Sequence, residues 1–183
     1  MAEPAPARGS ARAPLVLASA SPQRRAILER LGVPFEVRPA EVPERDQGEP
    51  AEVALENARR KARAASRAGA EEAVLGCDTI VCLDGTIYGK PADEATARRT
   101  LRALSGNTHE VLSGLVLLIA GGERSAVART AVTFRELDET LLDWYVASGE
   151  WRGRGARAGA AGRLRERRRP AAGDPARPVP GAV

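Results

Sequence analysis

Apolar and polar positions along the first 150 residues switch between the rhythm of strands and that of helices. Pro14 to Ser19 (PLVLAS) is a short apolar run suited to a buried strand. It leads into Ser21-Pro22, a helix N-cap followed by proline at the first helical position. Ile27, Leu28 and Leu31 then supply an apolar face, and Gly32 ends the helix. Val33 to Val37 reads as a strand and Pro39 to Pro50 as a polar loop. A second helix, rich in Ala, Arg and Glu, is predicted from about Ala51 to Ala68, with Gly69 as its stop. Val74 to Leu83 is a strongly apolar strand. Asp84-Gly85 after it is a hairpin signal that lets Thr86 to Tyr88 pair back.

Further along, Asp93 is placed to cap a helix reaching Leu104, closed by Ser105-Gly106. Residues 109–120 and 126–134 read as strands joined across Gly121-Gly122. Asp138 caps a last helix through Tyr145 to about Ser148, with Trp144 and Tyr145 expected against the sheet. Interleaved strands, helices and hairpins predict an α/β fold, a mixed twisted sheet with flanking helices.

Composition divides the chain unevenly. Its 183 residues suit one domain and carry a formal net charge of +4. Nine arginines against Glu166 and Asp174 give residues 151–183 a charge of +7, leaving −3 for residues 1–150. The last stretch, dominated by Arg, Ala, Gly and Pro, has too few apolar side chains for a packed element. The expected organisation is a flexible arm (1–13), a globular domain (14–151) and a basic low-complexity tail (152–183). No run approaches the 18–20 apolar residues of a membrane span, and the first residues lack the apolar core of a secretory signal. Cys77 and Cys82, five apart on one strand, suggest no disulfide framework, and with one histidine they cannot complete a zinc site. The expected setting is a reducing cytoplasm.

A few residues stand out chemically. Asp78 interrupts an apolar strand, where an ionised carboxylate is costly without a partner or a metal; the plainer reading is a strand-edge Asp satisfied locally. Ser19, Ser21, Arg24 and Arg25 cluster at a helix N-terminus, whose free N–H groups favour anions, although a capped helix with solvated arginines would look the same. Lys90 follows the hairpin in Gly89-Lys90-Pro91, and Lys61 lies among Arg59, Arg60 and Arg63. Taken alone, each reads as solvated. His109 at a strand start is more often a packing residue than a catalyst. No P-loop and no dinucleotide fingerprint between a strand and a helix is present.

In order, LASASPQRRAIL (17–28), NARRKARA (57–64), GCDTIV (76–81), GKP (89–91), LSGNTHEV (104–111) and VTFREL (132–137) resemble the Maf-like nucleoside triphosphate pyrophosphatases. The resemblance runs from about Leu15 to Glu150. It implies an α/β fold like that of inosine triphosphate pyrophosphatases, with a substrate cleft across the sheet. The implied reaction is hydrolysis of a nucleoside triphosphate to the monophosphate and pyrophosphate, aided by Mg²⁺ or Mn²⁺. By the same resemblance Asp78 is the proton acceptor, and Ser19, Arg24, Lys61 and Lys90 bind substrate. Glu44, with Glu41 as the competing alignment, joins Asp78 as a metal ligand. Thr79 resembles the dTTP/UTP branch, whereas Gln23 stands where that branch usually has Arg. A homodimer is compatible with the resemblance.

After Trp151 the resemblance fails. The family's Ala-Gly-x-Tyr-x-Ile-Gln-Gly segment is absent, and a reading-frame shift near residue 152 is the expected reason for the arginine-rich sequence that replaces it. Two other readings follow: a catalytically impaired remnant that only binds nucleotides, and non-specific nucleic-acid binding through the arginines. The second is not expected, because Trp151 is the lone aromatic of residues 151–183 and offers little stacking surface.

Overall fold

A computed structural model describes residues 15–152 and the backbone of residues 167–168. The proposed arm and nearly all of the tail lie outside the described residues. The elements run β1 (Leu15–Ala18), α1 (Pro22–Arg30), β2 (Phe35–Val37), α2 (Pro50–Ala65), β3 (Ala73–Leu83), β4 (Thr86–Tyr88), α3 (Glu94–Leu104), β5 (Thr108–Ile119), β6 (Gly122–Thr133), α4 (Glu139–Ala147) and β7 (Arg167–Arg168).

The strands form a seven-stranded sheet in the order β2-β1-β3-β5-β6-β7, with β4 paired to β3. β1 is parallel to both neighbours, so Leu17 faces Val37 on one side and Leu75 on the other. β4 turns back antiparallel on β3, and β7 pairs antiparallel with β6. The sheet is mixed, as expected.

Local signals act where the sequence puts them. Asp93 caps α3 by accepting the Thr96 N–H at 2.6 Å, and Asp138 caps α4 by accepting the Leu141 N–H at 2.8 Å. Asp84 and Gly85 adopt φ of 49° and 78°, the left-handed pair that a two-residue type I′ hairpin requires. Two boundaries differ by three residues or more. α2 ends at Ala65 rather than Ala68, where the Ser66 hydroxyl donates to the Ala62 carbonyl and competes with the helix ladder. β6 begins at Gly122, four residues early. The arginine-rich stretch, expected to build no packed element, nonetheless pairs Arg167–Arg168 with Val132–Thr133. Backbone pairing of two residues needs no apolar side chain.

The chain divides into two compact units. In the first (15–45, 55–78 and 114–126 of the described residues), α2 lays Ala58, Ala62 and Ala65 on Val16, Val74 and Val116. The fit is close at Gly76. A Cβ built there would fall on the Ala58 carbonyl oxygen and lie 2.8 Å from the Ala62 Cβ. Leu17, Cys77 and Leu28 of α1 form a separate cluster. Contrary to the expected face, Ile27 and Leu31 are 49% and 67% exposed. α1 turns inward the stripe carrying Arg24 and Leu28, four residues apart, and this rotates Ile27 and Leu31 outward.

The second unit (46–54, 79–113 and 127–152 of the described residues) is built around Val81, Leu101, Leu104, Phe134, Leu142 and Tyr145. Trp151 is 6% exposed in this core and donates its indole N–H to the Val146 carbonyl at 3.0 Å. Trp144, expected against the sheet, is instead 46% exposed, while its neighbour Tyr145 is buried. Adjacent helical positions point about 100° apart, so only one of the pair reaches the core.

His109 is buried edge-on against Phe134, with ring centroids 4.7 Å apart. Neither ring nitrogen has a hydrogen-bond partner among the described residues. Burial holds its pKa below the ordinary 6.5, so the folded state keeps the ring neutral. The unfolded chain binds a proton that the folded chain refuses. The stability His109 contributes is therefore complete above pH 6.5 and declines as pH falls from there through the lowered folded value. Urea midpoints measured from pH 8 to pH 5 are expected to fall more steeply for the unsubstituted chain than for His109→Gln. Parallel curves would refute this.

Candidate functional site

Strand pleating puts Asp78 on the same side of β3 as Gly76, two residues earlier. That is the side on which α2 rests, through Ala58 and Ala62. The positions immediately before those alanines, Asn57 and Lys61, are one helical turn apart and both reach Asp78. The Lys61 Nζ donates to Asp78 Oδ1 at 2.6 Å, and the Asn57 Nδ2 donates to Oδ2 at 3.1 Å. Asp78 is 5% exposed, so these two donors supply what makes a buried carboxylate tolerable.

The Lys61 ammonium also donates to Glu44 Oε1 at 2.6 Å. Glu44 thus joins Asp78 around one cation, from the loop between β2 and α2. The exposure of the side chains rises outward through the group, from 6% at Asp78 and 12% at Lys61 to 34% at Glu44. One end is dry and the other is open to solvent.

Ser19 and Arg24 form the second group. Arg24 Nη1 donates to the Ser19 Oγ at 2.9 Å and to the Cys77 carbonyl at 2.8 Å. Ser19, 8% exposed, also accepts the Ser21 N–H at 3.3 Å. The guanidinium is therefore anchored on the peptide adjoining Asp78, beside the N-terminus of α1. That end bears no side-chain cap from Ser21, whose hydroxyl instead donates to Gln23 Oε1 at 2.9 Å. A helix N-terminus, a hydroxyl and a guanidinium make an arrangement suited to phosphate oxygens. Burial raises the Cys77 thiol above its ordinary value and keeps it from acting as a nucleophile.

The structure thus assembles Asp78, Lys61 and Glu44, and sets Ser19 with Arg24 one peptide away. Thr79 and Lys90 belong to the second unit. There the Thr79 hydroxyl lies 3.2 Å from the Ser113 hydroxyl, and Lys90 stands on the exposed loop after β4. Gln23 is exposed on the first turn of α1.

Sequence reasoning missed Asn57. Its side chain is 1% exposed and holds the backbone of Arg45 on both sides, accepting the N–H at 2.7 Å and donating to the carbonyl at 2.9 Å. The available signal was its position four residues before Lys61, which stacks the two on one helix face.

Among the described residues no helix is long and apolar enough to cross a membrane. Residues 14–164 match the family described as Maf-like protein. A dTTP/UTP pyrophosphatase of Thermococcus gammatolerans is 48% identical over 137 residues, which covers 74% of this chain and 73% of the relative. One from Deinococcus radiodurans is 44% identical over 137 residues, covering 74% and 70% respectively. One from Anaeromyxobacter sp. (strain Fw109-5) is 49% identical over 143 residues, covering 74% and 68%. A match across most of the chain, with relatives this similar carrying the same name, means that the chain belongs to the Maf-like protein family.

Proposed function

We propose that this chain hydrolyses nucleoside triphosphates, dTTP and UTP foremost, to the nucleoside monophosphate and pyrophosphate. The observation that carries the proposal is a buried carboxylate, Asp78, held between Lys61 and Asn57 and one peptide from the Arg24–Ser19 pair. The names of the relatives add the substrates.

One water is added across the P–O–P bridge between the α and β phosphates. Its oxygen bonds to phosphorus, the bridging P–O bond breaks and pyrophosphate carries away the electron pair. Asp78 accepts the proton of that water, as an aligned base held at fixed geometry can. Arg24, Ser19 and the N-terminus of α1 receive phosphate oxygens, and Lys61 offsets the charge that develops on them. Because Lys61 already bridges two carboxylates, its ammonium has somewhere to come from and return to as substrate enters and product leaves.

A divalent cation suits the same place. Asp78 and Glu44 present two hard oxygen donors to one ammonium, which marks a position where positive charge is already favoured. Among the described residues no group of three or more His, Cys, Asp or Glu forms a complete protein cage. Mg²⁺ commonly takes one or two carboxylates and completes its shell with substrate phosphates and water, which two donors satisfy. When bound, the cation would neutralise phosphate oxygens and lower the barrier to water attack. Asp78 and Glu44 would hold it.

Thr79 is assigned to base selection, and the setting is the cytoplasm. A remnant that only binds nucleotide is less favoured, since both groups are assembled within the first unit. The test is pyrophosphate release from dTTP, UTP, CTP, GTP and 7-methyl-GTP, each with Mg²⁺, Mn²⁺ or EDTA. Release is expected to be fastest with dTTP and UTP and to stop with EDTA. A preference for 7-methyl-GTP, or no release from any of the five, would overturn the assignment.

A further inference from the structure

We infer that Asn57 is a positioning residue for this hydrolysis, the permanent donor that keeps the Asp78 carboxylate aimed while the Lys61 ammonium turns to phosphate. The inference rests on the proposed activity and divides the labour within its site. The orientation of the Asn57 amide is fixed by its neighbours. The Arg45 N–H can only donate, so the atom facing it at 2.7 Å is Oδ1. Nδ2 then spends one hydrogen on the Arg45 carbonyl at 2.9 Å and the other on Asp78 Oδ2 at 3.1 Å. Reversing the amide would set donor against donor and acceptor against acceptor.

Lys61 is built differently. Its charge sits on a flexible four-carbon stem, and its ammonium is shared with the solvent-facing Glu44. A triphosphate brings several negative charges and can recruit such a donor. It has nothing to offer an amide that is buried and locked to main chain. Asp78 thus has an exchangeable partner on Oδ1 and a permanent one on Oδ2. When Lys61 leaves, Oδ1 turns to the reaction, as the base toward water or as one of the two donors to a cation, and the carboxylate does not rotate because Oδ2 stays held. The same amide fixes Arg45, the residue after Glu44, so both carboxylates are referred to one position on α2.

The experiment compares the unsubstituted chain with Asn57→Ser and Asn57→Ala. Pyrophosphate release from dTTP is measured alongside thermal midpoints, and active sites are counted by binding of α,β-imido-dTTP. Misplacing the base should lower kcat per active site by about 10- to 100-fold with KM changed little. A purely structural residue would lower the midpoint and the number of active sites while leaving kcat per site intact, and that result overturns the inference. Should neither variant fold, the unsubstituted chain still decides. It contains two asparagines, Asn57 and Asn107, so selective ¹⁵N labelling gives two side-chain amide signals. Saturation with α,β-imido-dTTP is expected to leave the Asn57 amide slow to exchange with solvent; rapid exchange overturns the inference. Release by the unsubstituted chain is measured first. Its absence removes the proposed activity and this inference together, whereas activity with unaltered kcat in the variants removes this inference alone.

Discussion

Asp78→Asn is expected to cut pyrophosphate release from dTTP by about 10²–10⁴-fold, the usual worth of a positioned general base. The substitution preserves shape and removes both the charge and the basic oxygen. It also creates one mismatch. Lys61 and Asn57 each aim an N–H at position 78, and an amide there can accept from only one of them without opposing donor to donor. Some loss of stability follows, but the surrounding contacts of β3 with β1 and α2 are apolar and remain. A thermal midpoint within several degrees of the unsubstituted chain, with release nearly abolished, is the expected pair of results. Full activity in a folded Asp78→Asn chain would show that another group receives the proton.

The second large effect is expected from Gly76→Ala, which touches no proposed catalytic group. The added methyl would land on the Ala58 carbonyl oxygen, with the Ala62 Cβ and N within 3 Å. The obstacle is main chain, so no side-chain rotation relieves it, and α2 must lift from β3. Overpacking of this kind typically costs about 1–3 kcal/mol, and at this chain length each kcal/mol moves the midpoint by about 2–4 °C. The catalytic penalty should exceed what that loss alone suggests. Asn57 and Lys61 adjoin the two alanines in question, so lifting the helix lengthens both bonds to Asp78. Differential scanning calorimetry and pyrophosphate release at 25 °C test the two parts separately. An unchanged midpoint would mean that α2 does not rest on Gly76 as described, and Ala62→Gly should restore little, because the nearest obstacle is the carbonyl of residue 58.

Much of this fold was legible because its punctuation is local. Asp93 and Asp138 cap helices from a single position each, and Asp84-Gly85 fixes a hairpin in two residues. Asp78 could be singled out for the same reason, as a charge inside an apolar run. Its partners could not be read that way. Glu44, Lys61 and Asp78 are spaced 17 residues apart, from a loop, a helix and a strand, and no local window contains two of them. Lys61 therefore looked solvated among arginines. The family resemblance, not the local pattern, gave it a role. Asn57 was harder still, since its spacing of four from Lys61 says only that the two share a helix face, and the approach of Arg45 and Asp78 is what gives that face a role. The expectations for Ile27, Leu31 and Trp144 failed for another reason. Apolarity says that a residue can be buried, but a helix of nine residues has room to bury only the stripe it turns toward the sheet.

The two tryptophans, Trp144 at 46% and Trp151 at 6% exposure, give the protein an optical label of its own. Native emission is the sum of a water-facing indole that acrylamide can quench and a shielded one whose N–H is bound to a carbonyl. Trp151 also adjoins the arginine-rich segment in sequence. Its quencher-resistant, blue-shifted component therefore reports whether that junction stays closed over the second core, in solution and without any added fluorophore.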